Sequence, residues 1–293
     1  MAKIAQHEHH RNHQRKLKRS IVCWLALSPF VIVVLFPFVV MFLTAVKPQS
    51  EVLSFPPKWL PSHFEWHNFV EMWEVTQFGV ALKNSLLISI LSTVAAITIS
   101  IPAAYALARF PFWGKSAYRR FLLVTQMLSP ILLVLGLFRL AAAIPYGDGN
   151  LIDSHIGVIT AYTAFNTAFA VWMLQSYFVT IPRDMEEAAW LEGCGKIRAV
   201  FKVFLPLATP AMVVTAIFTF INAWNEFAVV YTLIRSPENK TLTVQIVDLV
   251  AGRYSVNWHQ VMAAALLATL PVAALFSWLQ KYLVQGLSLG AVK

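Results

Sequence analysis

Acidic residues and cysteines are scarce in this chain, with 14 Asp and Glu against 23 Lys and Arg, and two Cys in 293 residues. Cys23 and Cys194 stand far apart with neither metal-ligand nor redox spacing, which leaves them as packing or incidental residues. Beyond the N-terminal tail, His63, His67, His155 and His259 are scattered, without the His, Asp or Glu cluster that a membrane enzyme needs. The phosphate-binding pattern G-x(4)-G-K-[ST] occurs nowhere, and no internal repeat stands out. We therefore assign the chain no catalytic residue, no metal ligand and no cofactor of its own.

Apolar sequence is abundant instead. The chain is 58% hydrophobic and 13% charged, and the apolar residues come in long blocks rather than in alternation. A helix needs about 20 mainly apolar residues to cross a membrane core of about 30 Å. Six stretches qualify, at roughly 21–46, 84–108, 121–144, 156–179, 207–234 and 261–284. The expected fold is all-α, a polytopic membrane protein with six transmembrane helices and no soluble domain. It divides into a basic tail (1–20), a transmembrane domain (21–285) with a polar loop at about 180–206, and a short C-terminal tail (286–293).

The N-terminal tail carries Lys3, Arg11, Arg15, Lys16, Lys18 and Arg19 with His7, His9, His10 and His13 among them. It reads as a flexible basic segment held near anionic headgroups rather than as a metal site. The apolar run behind it continues through Pro29 and Pro37 to Val46, so it is expected to stay as an anchor. With the N-terminus inside, sixteen of the 23 Lys and Arg fall on the cytoplasmic side, in the tail, at 109–120, at 183–202, and at Lys281 and Lys293. That satisfies the positive-inside rule and places both termini in the cytoplasm. The net charge of +9 belongs to this bias, and no basic surface interleaved with aromatics accompanies it, so nucleic acid is not an expected partner.

In the outer loop, Pro48, Pro56, Pro57 and Pro61 argue against an early helix. Phe69, Met72, Trp73 and Thr76 line one side of a later helix along the membrane interface. Trp59, Trp66 and Trp73 serve either as headgroup anchors or as contacts for an extracytoplasmic protein. Ser85, Ser89, Ser92, Ala96 and Ser100 form a narrow small-residue stripe that suits close helix packing. The Ser129-Pro130 step predicts a kink in the third span. On the fourth, Tyr162, Asn166 and Met173 fall near one face, with Trp172 and Gln175 further along. Asn166 either lines a cavity or hydrogen-bonds to a neighbouring helix. The fifth span ends in Phe220-Ile221-Asn222-Ala223-Trp224-Asn225-Glu226-Phe227. Counting from Leu207 at about 1.5 Å per residue, Glu226 lies roughly 28 Å across the core, near the outer mouth where its charge costs less.

Between the fourth and fifth spans lies a polar interruption. Pro182 and the acids Asp184, Glu186 and Glu187 predict a helix start, and Gly193 and Gly195 its end. Lys196, Arg198 and Lys202 open a second piece running toward Pro206, so a helix, a turn and a helix are expected outside the bilayer. Met185, Ala188, Ala189 and Glu192 recur at helical spacing on the first helix, a small apolar face with charge beside it. The pattern E-A-A-x(3)-G-x(9)-V-x-L-P, from Glu187 through Leu205-Pro206, resembles the cytoplasmic coupling loop of binding-protein-dependent ABC importer permeases. Ala103 to Phe110 with Gly114-Lys115 is similar to the close of the second span in their sugar-importing branch, W-N-E-F to its fifth span, and Gly286 to Lys293 to the maltose-type C-terminus.

The resemblance covers essentially 20–293 and implies the ABC importer type I permease fold. It implies a permease subunit of an ATP-driven sugar importer, pairing with a second, related but different permease in the bacterial inner membrane. Two cytoplasmic ATPase subunits, which hold the ATP and Mg, would dock on the coupling loops, and an extracytoplasmic sugar-binding protein would deliver substrate. Glu187, Ala188, Ala189, Gly193, Leu205 and Pro206 are then the coupling residues. Gly290 and Lys293 belong to a tail reaching the ATPase interface, and Asn166, Asn222, Trp224 and Glu226 are candidates for the translocation path. For Glu226 a structural or gating role and direct sugar contact both stay open. A secondary transporter is the alternative class, but it more often shows midplane acids, interrupted helices or a repeat.

Overall fold

The computed structural model describes residues 2–147, 149–251 and 256–290, and side chains at 20–147, 149–251 and 256–278. The chain opens with α1 (Ala2–Ala45), α2 (Gln49–Val52), α3 (His67–Val75), α4 (Phe78–Arg109), α5 (Lys115–Met127) and α6 (Pro130–Ala143). A two-residue antiparallel pair, β1 (Pro145–Tyr146) and β2 (Gly149–Asn150), leads to α7 (His155–Phe178), α8 (Asp184–Leu191) and α9 (Lys196–Ala199). A π-helical turn (Val200–Phe204) joins α9 to α10 (Leu205–Asn225), followed by α11 (Ala228–Leu233), α12 (Leu242–Asp248) and α13 (Trp258–Gly290).

Among the described residues five helices are long and apolar enough to cross a membrane: Ser20–Ala45, Phe78–Arg109, His155–Phe178, Lys196–Asn225 and Trp258–Trp278. The expected third span is a corrected case. Instead of a kinked helix at 121–144, α5 and α6 meet at a break and diverge by 98°, so a count of six holds only if this bent pair is one span. The pre-proline residue explains the break: Ser129, at φ −69° and ψ 134°, is extended, as steric conflict with the Pro130 ring requires. The fifth span also stops earlier than the expected 234. Helix α10 ends at Asn225, because Glu226 is extended at ψ 135° and the chain restarts as α11. Neither proposed tail boundary coincides with a helix end, since the backbone is helical from Ala2 and to Gly290.

The chain forms two compact units, one of the chain up to Met72 with Asn257–Leu266, the other of Trp73–Val256 with the chain from Leu267. In the first unit, Asn68 of α3 donates from Nδ2 to the carbonyls of Ala45 (2.9 Å) and Lys47 (3.1 Å). It thereby satisfies backbone groups that the end of α1 leaves without intrahelical partners. Apart from the short α2 directly behind Pro48, the proline-rich stretch is free of helix up to α3, as expected. Of the expected face, Met72 and Thr76 are buried and Phe69 half-buried, while Trp73 is exposed, so that single face is divided; Trp59 and Trp66 are exposed as well. Glu51 accepts from Lys58 Nζ (2.9 Å) and the Ser62 amide (3.0 Å). The Lys58 hydrogen bond first, then that of Ser62, hold its carboxyl down at about 2.

In the second unit α4 and α7 pack along each other and α10 packs against both. The small-residue stripe on α4 is buried at all five positions and forms a packing seam. Ser100 Oγ donates to the Thr167 carbonyl of α7 at 3.3 Å, and Ser85 Oγ accepts the Leu242 amide at the start of α12 at 2.8 Å. One apolar cluster gathers Ile88, Val158, Tyr162, Val229 and Leu233. A second gathers Leu107, Leu174, Phe178, Phe204 and Ala208, about nineteen residues further along α4, or roughly 28 Å at the helical rise. At the start of α7 the Ser154 hydroxyl caps the Gly157 amide at 3.1 Å. Gly157 is needed there, since a Cβ would lie 2.4 Å from the Leu151 carbonyl oxygen.

Candidate functional site

The polar interruption folds as a short helix, a turn and a second helix. The acids Asp184, Glu186 and Glu187 occupy the first turn of α8, where unpaired amides favour negative charge. At its end the Gly193 amide donates to the Trp190 carbonyl (3.0 Å) and the Cys194 amide to that of Ala189 (2.9 Å). This is a Schellman closure, and Gly193 adopts the left-handed φ of +83° that it demands. Gly195 is extended at φ −63°, so only the first of the two expected glycines uses its special freedom. The second piece is not a separate helix. It runs from Lys196 to Asn225 as one helical path, with the Leu205 amide donating five residues back to Val200 beside Pro206, whose nitrogen carries no hydrogen.

The expected small apolar face of α8 is split. Glu187, Ala188, Met185 and Glu192 are exposed, whereas Ala189 is buried on the same helix face as Glu186. The exposed apolar surface is supplemented by Leu191, at 90% exposure, and by Ile197 and Phe201 on the following helix. Leu205 is half-buried and Pro206 exposed.

What the sequence reading missed is the partner of Glu186. Its Oε1 receives Arg109 Nε at 2.6 Å and its Oε2 the Tyr105 hydroxyl at 2.6 Å. The Arg109 and Glu186 side chains are only 7% and 4% exposed. Arg109 also donates to the Ile181 carbonyl (3.0 Å), while Arg183 donates to the Arg109 carbonyl (3.1 Å). The Arg109 guanidinium lies 4.9 Å from the centre of the Phe204 ring. A cavity of about 280 Å³ opens beside this cluster, bounded by Tyr105, Arg109, Arg183, Glu187, Lys196 and Ile197. No sequence signal links two residues 77 apart, one read as a span-end charge and the other as a dipole partner.

At the other end of α10, the path candidates are not gathered on one surface. Asn222 is exposed, and Trp224 is buried at 5% exposure, stacked on Phe220 with centroids 5.6 Å apart. Glu226 accepts the Tyr162 hydroxyl at 2.8 Å and the Val229 amide at 3.1 Å, capping α11, and its carbonyl accepts Thr243 Oγ1 at 3.0 Å. Asn166 is buried and donates to the Tyr162 carbonyl of its own helix at 2.9 Å, rather than to a neighbouring helix. Trp172 and Met173 line a different feature, an apolar groove of about 710 Å³ between α7 and α10 with Phe169, Tyr177, Val214 and Phe218. Gly290 is the last described residue, and Lys293 lies outside the described residues.

Comparison with known proteins places this geometry. Residues 96–289, from mid-α4 through α13, match the family described as binding-protein-dependent transport system inner membrane component. The chain is 32% identical over 283 residues to the inner membrane ABC transporter permease protein YcjP of Escherichia coli strain K12, covering 96% of this chain and 98% of that one. It is also 32% identical over 279 residues to the trehalose/maltose transport system permease protein MalG of Thermococcus litoralis, covering 94% and 98%. Its fold is similar to that in the crystal structure of a bacterial ABC transporter involved in import of the acidic polysaccharide alginate, with a TM-score of 0.74 over 90% of this chain and 95% of that one at 21% identity. The chain belongs to the binding-protein-dependent transport system inner membrane components, the multi-pass permeases of ABC importers.

Proposed function

We propose that this chain is one of two different permease subunits of an ATP-driven sugar importer, working by alternating access. The observation that carries the reading is the coupling segment. A short helix, closed at Gly193, presents Met185, Glu187, Ala188 and Leu191 outward and continues through α9 and the π turn into a membrane span. A docked protein that shifts such a segment biases a two-state bundle, provided the segment moves as a rigid unit. Two cytoplasmic ATPase subunits, binding ATP and Mg, are the proposed docking partners, with Gly290 and Lys293 in a tail that reaches them. Both termini lie in the cytoplasm on this reading, in keeping with the Lys and Arg bias.

Sugar as the cargo is supported by the similarity to the trehalose/maltose permease and by the W-N-E-F segment. An extracytoplasmic sugar-binding protein delivers the substrate, and Asn222, the exposed member of the expected set, borders the path. The test is purification from membranes followed by reconstitution. The chain should copurify with a second permease and an ATPase, and vesicles should take up sugar only with ATP and a loaded binding protein. Uptake without ATP, driven by an ion gradient, would replace this reading with secondary transport.

A further inference from the structure

Resting on the coupling reading above, the geometry points to Arg109 and Glu186 as the joint through which movement of the docking helix enters the bundle, with α4 as the element that receives it. The covalent route from α8 into α10 is indirect, because it passes the left-handed turn at Gly193 and then a π turn. The noncovalent route into α4 is direct. Both carboxylate oxygens of Glu186 are taken, one by Arg109 and one by Tyr105, and both donors belong to the last turns of α4. Arg109 is held from a further side by the Ile181 carbonyl and from below by the Phe204 ring. A buried ion pair of this kind adds little stability over an apolar pair, but it tolerates one geometry, since separating the charges leaves each unpaired in a low dielectric.

The far end of α4 is clasped as well. Asn84 donates from Nδ2 to the carbonyls of Glu238 (2.7 Å) and Lys240 (3.1 Å), and Ser85 caps the Leu242 amide. From Asn84 to Arg109 the helix spans roughly 37 Å at about 1.5 Å per residue. One continuous helix, with Pro102 inside it, thus ties the docking segment to the 238–242 segment at the opposite end of the same unit. Arg109 and Glu186 act as positioning residues, by making α8 and α4 move together.

The experiment uses the reconstituted complex of this chain with its partner permease, ATPases and binding protein. Glu186→Gln should leave assembly and basal ATP hydrolysis intact. Uptake and binding-protein-stimulated hydrolysis should fall about tenfold, within the ordinary range of a coupling free energy. An assembled Glu186→Gln complex that transports at the wild-type rate overturns the inference. Gly193→Val in the same assay then separates the two readings: if it abolishes transport, docking through this segment stands without the joint, and if it too transports normally, both fail. Should Glu186→Gln not assemble, Tyr105→Phe decides, because it removes one hydrogen bond and keeps the ring against Phe204. Reduced stimulation with intact assembly supports the joint, and unchanged stimulation rejects it.

Discussion

The Cys194 amide donates to the Ala189 carbonyl at 2.9 Å, and this bond closes the chain around a Gly193 held at φ +83°. A Cβ at Gly193 meets no atom within 4 Å, so substitution is opposed by the backbone rather than by neighbours. Gly193→Val should cost about 1–3 kcal/mol of local strain and reorient α9 against α8. We expect the variant to insert and retain its partner permease, yet lose uptake and substrate-stimulated ATP hydrolysis in vesicles. Wild-type transport would reduce the segment to a connector.

Glu187 is exposed, unlike its neighbour Glu186. Glu187→Ala therefore removes at most one solvent-screened charge pair, worth on the order of 1 kcal/mol or less. The expected effect is a modest weakening of ATPase retention that is largest at low salt and shrinks as salt screens the wild-type pair, measured by copurification across a salt series.

Trp224 and Asn222 should part company. Trp224 is buried and stacked on Phe220, and a buried Trp→Ala change costs about 3–5 kcal/mol. Trp224→Ala is expected to lower the yield of assembled complex. Asn222→Ala, at an exposed site, should assemble normally and slow uptake, as read by the initial rate in vesicles. Normal uptake by Asn222→Ala would remove that residue from the path.

Topology gives an independent check. In a background without Cys23 and Cys194, Lys58→Cys and Asp148→Cys should react with an impermeant thiol reagent on intact cells. Lys196→Cys should react only after permeabilisation. External labelling at 196 would invert the orientation and remove the docking assignment.

The Glu51 staple has a defined pH range. Its carboxyl is lowered from the ordinary value of 4.5 to about 2 by Lys58 and then by Ser62. A depressed carboxyl stabilises the fold fully above its unfolded value and loses that contribution as pH falls through the folded one. Between pH 4.5 and 2 the loop should loosen. Exchange of the Ser62 amide, corrected for its intrinsic rate, should accelerate over that interval, and Glu51→Gln should abolish the dependence.

Much of the architecture was legible in the residues themselves. Apolar runs of crossing length, the Lys and Arg bias and a glycine that ends a helix are properties of short segments, and solvent or backbone geometry acts on each segment directly. So 21–46, 84–108 and 156–179 return as helices, and Asp184 to Gly193 closes where its acids and glycine require. The Ser129-Pro130 step announced a disturbance, since a residue before proline leaves the helical region whatever surrounds it. The 98° angle between α5 and α6 was not contained in that step, because packing against other elements selects the direction of a break.

The pairing of Arg109 with Glu186, the inward turn of Ala189 and the capping of α11 by Glu226 were decided only in three dimensions. Glu186 and Glu187 are adjacent acids with the same local chemistry. The rotation of α8 against the end of α4 buries one and exposes the other. Helical spacing fixes which residues share a face, whereas which face turns inward depends on contacts from residues distant in the chain, and those contacts exist only after the helices have packed.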